Sequence, residues 1–300
     1  MFSMNYLYCK ANTIEKFTCV DYSACINFRT LEVILDPKEE MSTEIISASK
    51  KRFANANLNP VDSGGERRDT STRTYKGLLG FVAEEIVYRA LLNFNEHVIN
   101  VGYSQNVNIE LDQSNSSKDQ VDIKIIKSFK DKDSKLVEKL YTVEIRSSFP
   151  AKGLLDTTCK NFDILGPYFN ETKKTEMKKD FYIRVVFDLQ YDEHSDLYIT
   201  YEKYGRKNIN YSKTATNILK NYYFNSDFNL VKPLRFHILG GATKSMMEDD
   251  ALAYDGKMET DTFSNEKGFF RKIKLNKGLD AVGIIVQILS VVHKEHEEGK

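Results

Sequence analysis

A chain of 300 residues can enclose one large core, and 41% apolar with 29% charged residues is ordinary for a protein folded in water. Lysine plus arginine equals aspartate plus glutamate at 43 each, so net charge selects no partner and any grip on nucleic acid must come from local patches. Four cysteines without a CxxC and five scattered histidines argue against a disulfide framework and a structural zinc site.

The opening residues MFSMNYLYCKANTIEK lack the basic region and apolar run of a secretory signal. The expectation is a cytoplasmic chain without a membrane partner. A polar stretch rich in Gly, Ser, Thr and Asp, NLNPVDSGGERRDTSTRT (57–74), reads as a linker or loop and sets off an N-terminal accessory region, 1–70. Behind it YKGLLGFVAEEIVYRALLNF (75–94) predicts a helix, with Leu79, Val82, Ala83, Ile86 and Ala90 on one face. Glu84 and Tyr88 fall opposite that stripe and Glu85 and Arg89 on its flank, where solvated surface is the plain expectation.

Strands are predicted at HVINVGYS (97–104), DQVDIKIIKSF (119–129) and KLYTVEIRSSF (139–149), the last two joined by the turn KDKDSK. GLLDTTCKNFDILGPYF (153–169) reads as short helix and loop. DFYIRVVFDLQ (180–190) and DLYITYEKYG (196–205) read as strands, and LRFHILGGATK (234–244) as a strand ending at a Gly-Gly turn. The apolar segment 279–293 predicts a closing helix too short for the roughly 20 residues that span a bilayer. Strand runs with helices on either side give an α/β chain with a central mixed sheet flanked by helices. Its core is expected at 71–245, with a C-terminal extension at 246–300.

In LVEKLYTVEIRSSFP (136–150), Glu144 and Arg146 stand two residues apart, hence on one face of a strand. Asp122 lies in the apolar strand before it, and adjacent antiparallel strands can bring Asp122 and Glu144 together. Carboxylates held close in a half-buried site repel unless a cation lies between them. A hard divalent ion accepts such oxygen ligands, makes a nucleophile of bound water and neutralises a phosphate under attack. Arg146 can then hold the phosphate or the water. The plain alternative is a Glu–Arg pair on a strand edge. Phosphate loops, dinucleotide fingerprints, serine elbows and HExxH are absent.

The order helix, three strands of which the second carries Asp122 and the third Glu144-Ile145-Arg146, a helical or irregular segment, then a strand, resembles the PD-(D/E)xK nuclease superfamily, the restriction endonuclease-like fold, over about residues 75–190. KGLLGFVAEE resembles its preceding helix, with an acid, Glu84 or less well Glu85, after Gly80. The chain departs in having Val121 where the family has proline and Arg146 where it has lysine. Arginine cannot act as a base but binds phosphate in bidentate fashion; Lys124, two residues past Asp122, offers an amine. The resemblance implies a restriction-type, phage or repair endonuclease hydrolysing DNA, with Mg²⁺ (Mn²⁺ substituting) on Asp122, Glu144 and the Ile145 carbonyl. Arg146 would polarise the phosphate and Glu84 complete the acids through water.

Basic residues among aromatics in YEKYGRKNINYSK and KGFFRKIKLNK add Lys203, Arg206, Lys207, Arg271 and Lys272 as nucleic-acid contacts beside Lys124. The terminal segments offer a homodimer face or target recognition. The competing expectation, for which Arg146 speaks, is a nuclease-fold protein that binds nucleic acid or assembles without cutting.

Overall fold

The computed structural model describes residues 30–55, 70–100, 106–112, 121–130, 133–148, 162–170, 177–188, 216–256 and 268–294. In chain order the elements are β1 (Leu31–Leu35), α1 (Glu40–Asn55), α2 (Thr70–Asn100), β2 (Val107–Leu111), β3 (Ile123–Lys130) and β4 (Leu136–Ser148). There follow β5 (Asp163–Asn170), β6 (Phe181–Asp188), β7 (Leu234–Thr243), α3 (Lys244–Glu248), β8 (Ala253–Gly256), β9 (Gly268–Lys274), β10 (Leu279–Asp280) and α4 (Ala281–Lys294). No helix among the described residues is long and apolar enough to cross a membrane.

The chain is mixed α/β. Its main sheet runs β1-β7-β6-β4-β3-β2, with β10 also on β7, and a small sheet runs β5-β9-β8. Only β4 and β6 pair in parallel among these strands. β6 lies between β4 and β7 and is buried from Phe181 to Phe187, which explains a run, FYIRVVF, that is apolar but for Arg184. Strand alternation gives the sheet two apolar faces. Ile123, Ile125, Val143, Ile145, Ile183 and Val185 join the core formed with α2 and α4, whereas Tyr182, Val186 and Leu239 pack with Ile164 and Ile273 of the small sheet. β1 and α4 enter the same core as the central segment.

Each helix follows from its apolar spacing. The stripe predicted for α2 is fully buried, and in α4 Ile284, Ile285, Ile288 and Val292 are buried while Val286 faces water. The carboxylate of Asp280 accepts from the N–H of Gly283 at 2.6 Å and satisfies a first-turn donor of α4.

Several expectations are corrected. The helix runs on through Asn100, so the strand predicted at 97–104 is helix at its start; β2 begins only at Val107. The segment 153–169, predicted as helix and loop, contributes strand β5 from Asp163. Gly240 and Gly241 make no turn but continue β7, with an irregular register opposite Arg184 and Val185. Glu84 and Glu85 are not solvated: they are 9% and 5% exposed, because α1 covers that side of α2. The strand predicted at 196–205 lies outside the described residues.

Gly241 sits where a side chain has no room. A Cβ there would stand 2.3 Å from the Tyr182 carbonyl and 2.7 Å from Ile284 Cγ1, whereas one on Gly80 would meet nothing within 4 Å. Gly241→Ala should therefore destabilise by about 1–3 kcal/mol. Gly80→Ala should stabilise α2 by about 0.5–1 kcal/mol. Urea denaturation followed by circular dichroism reads both signs; a neutral Gly241→Ala contradicts the close approach of β6 and α4 to β7.

Candidate active site

The ladder between β3 and β4 ends at the pair Ile123↔Val143, so Asp122 and Glu144 are the next residues at the same end of the two strands. Asp122 bends out of regular strand, and its Oδ2 accepts from the N–H of Ile145 at 2.6 Å. In an extended strand the N–H and C=O of one residue point to the same edge. The Ile145 carbonyl therefore faces the side on which Asp122 lies. Asp122, Glu144 and Ile145 are all buried.

Glu84 reaches the same place from α2. Its field raises Asp122, and the field of Glu144 raises Glu84 in turn. Two guanidinium groups answer this negative charge. Arg146 Nη2 pairs with Glu144 Oε1 at 3.0 Å, and Arg52 Nη2 with Glu84 Oε2 at 2.5 Å. Arg52 also lies over the Phe81 ring, 4.8 Å from its centroid, and reaches the Asp112 carbonyl at 3.4 Å. Three carboxylates thus meet two arginines. Glu85 turns away to Arg89 at 3.6 Å on its own helix.

Burial is the largest influence on these acids. It drives Glu84 up to about 7 against the opposing charge and hydrogen bond of Arg52, with Glu144 and Glu85 adding to the rise. Burial and then Glu84 push Asp122 well above the usual carboxylate range, opposed by the Ile145 N–H, Arg146 and Arg52. Desolvation also raises Glu85.

Among the described residues no three His, Cys, Asp or Glu side chains converge tightly enough to hold a metal ion. The donor set nonetheless fits a hard cation in kind. Two carboxylates and a carbonyl, all oxygen, suffice for Mg²⁺ when waters complete the shell. Glu144 and Glu84 are instead engaged by Arg146 and Arg52.

The remaining predicted residues are placed elsewhere or are already engaged. Lys124 pairs with Asp112 at 3.0 Å. Arg271 donates to the Met247 carbonyl at 2.9 Å and pairs with Asp250 and Asp255; Lys272 is buried against Asp163 at 3.4 Å. Lys203, Arg206 and Lys207 lie outside the described residues. Arg52 was hidden in the basic run KKRF: only the end of α1 against α2 brings it to Glu84, and no spacing in the sequence announces that contact.

The pH dependence of stability tests the buried state of Glu84. Between about 4.5 and 7 the folded chain holds a proton on Glu84 that the unfolded chain has lost, so this group's contribution falls as pH rises, by at most roughly 3 kcal/mol. His237, lowered by burial and Arg235, acts with the opposite sign below about 6.5. The readout is therefore the difference between variants. In EDTA, Glu84→Gln should gain stability relative to wild type progressively from pH 4.5 to above 7. A constant difference would show that Glu84 is ionised throughout.

No protein-family model and no solved structure matches the chain. Among curated proteins it is similar to the uncharacterized protein MJECS01 of Methanocaldococcus jannaschii, 28% identical over 159 residues, 53% of this chain and 51% of that protein. The chain spans about half the length of this relative.

Proposed function

We propose that the chain is a metal-dependent endonuclease that hydrolyses DNA phosphodiester bonds on a restriction endonuclease-like core. The observation that carries this reading is the placement of Asp122 and Glu144 together at the end of the β3–β4 ladder, with the Asp122 carboxylate held on the Ile145 N–H. Asp122, Glu144 and the Ile145 carbonyl would hold Mg²⁺ or Mn²⁺. The bound ion supplies an acidified water and neutralises charge on the phosphate.

The chain's own groups divide the rest of the work. Arg146, one strand period along from Glu144, turns its guanidinium to a non-bridging phosphate oxygen. It carries five donors and no acceptor, so it cannot take the proton of the attacking water. Glu84, raised to about 7, suits that task near neutral pH. The water oxygen forms the new P–O bond as the ester P–O bond opposite it breaks; Glu84 takes the water proton and solvent protonates the leaving oxygen. Arg52 holds the Glu84 carboxylate in place.

One observation favours a second reading. Arg146 on Glu144 and Arg52 on Glu84 largely neutralise the acids from within. That balance suits a nuclease-fold protein that binds nucleic acid or assembles without cutting it.

Incubation with supercoiled plasmid and with single-stranded DNA, in Mg²⁺ or Mn²⁺, separates the two. Cleavage is expected, abolished by Glu144→Ala and Asp122→Asn in folded protein, and lowered by roughly a hundredfold or more in Glu84→Gln. Arg146→Lys should keep cleavage and Arg146→Met lose it. DNA bound but uncut in both metals overturns the nuclease in favour of the binding module.

A further inference from the structure

Beside the acids, on the same face of the main sheet, the strands carry a second charged group for which the hydrolytic site has no task. The parallel register sets Glu144 beside Tyr182, Arg146 beside Arg184 and Ser148 beside Val186. Paired residues share a face, so Glu144, Arg146, Ser148 and Arg184 project together.

Arg184 is 5% exposed, yet it makes no ion pair among the described residues. Its Nη2 donates to Ser148 Oγ at 2.7 Å and its Nη1 reaches the Arg146 carbonyl at 3.5 Å, while Nε has no partner. The Phe162 ring lies 4.8 Å beneath its guanidinium carbon. The carboxylate whose field it feels, Asp163, is shared between Lys272 at 3.4 Å and Lys274 at 3.0 Å. Three cations therefore surround one acid.

A buried guanidinium without a counter-charge is costly, and its fork is shaped for an oxyanion. Burial and the neighbouring Arg146 pull its pKa down to about 9, which still leaves it cationic at neutral pH. Ser148, two strand periods (~13 Å) from Glu144, brings a hydroxyl to the same spot.

We propose that Arg184, oriented by Ser148, forms a phosphate subsite at the end of β4, holding a strand phosphate next to the one offered to Arg146, Asp122 and Glu144. This inference rests on the nuclease reading for its substrate, whereas the anion site rests on Arg184 alone. The Ser148 hydroxyl orients the empty fork. On binding, a phosphate oxygen takes its place, and Nε gains the acceptor it lacks.

The test uses the full chain in EDTA, where no cleavage occurs. Fluorescence anisotropy with a fluorescein-labelled DNA 20-mer is read over a salt series, and melting temperature is read with and without inorganic phosphate. Arg184→Met should bind the oligonucleotide roughly ten- to a hundredfold more weakly and lose about one phosphate from the salt slope. Ser148→Asp, which keeps the guanidinium but gives it an internal carboxylate, should do the same; it decides the matter if Arg184→Met does not fold. Lys178→Met, at an exposed pair with Glu248, serves as control. Wild-type affinity and slope in folded Arg184→Met or in Ser148→Asp overturn the proposal. So does a wild-type chain that responds to neither probe. If wild type ignores the oligonucleotide but is stabilised by phosphate, and the variants are not, the subsite stands and the nucleic-acid reading falls.

Discussion

A backbone N–H inside a sheet needs an acceptor, and at Ile145 the acceptor is a side chain, the carboxylate of Asp122. Much of the site descends from that substitution. The regular β3–β4 register ends at the pair Ile123↔Val143, and an ionisable carboxyl group is left buried beyond it. Its charged form persists only with compensation. Arg146 supplies part of it from the next strand and Arg52 part from α1, with Arg52 pinned in turn by Glu84 and the Phe81 ring. A helix early in the chain is thereby tied to the middle of the sheet.

The same balance shapes how the site would act. Each arginine is occupied with an acid of its own, so a cation at the carboxylates would release guanidinium groups, and a phosphate at the guanidinium groups would release carboxylates. Two such ligands would favour one another, since each would remove the partner that competes with the other. Arg184 differs: among the described residues its partners are a hydroxyl and a carbonyl, and it has no acid to give up.

Local pattern was legible wherever burial was one-sided. The strand Ile123–Lys130 alternates because one side faces the core, and the stripe on α2 follows the helical period, whereas in β4 Tyr141 through Ile145 are all buried. What could not be read was set by distant partners. Glu84 and Glu85 look like surface until α1, separated from them by a polar stretch, is laid over α2. The β-branched run at 97–100 suggests a strand, but the helix simply continues. In β5 the Gly166-Pro167 pair reads as a breaker, and the strand absorbs it through a register shift between Leu165 and Tyr168, where proline's missing N–H is tolerated. A lone arginine in FYIRVVF gives no hint of the hydroxyl and the carbonyl that Arg184 contacts.

β5 lies between β4 and β6 in the chain but belongs to the other sheet, and its partner β9 comes near the end. During synthesis β4, β6 and β7 are all made before β9 emerges. The face that carries Arg146 and Arg184 therefore lacks its β9 cover until that strand is made.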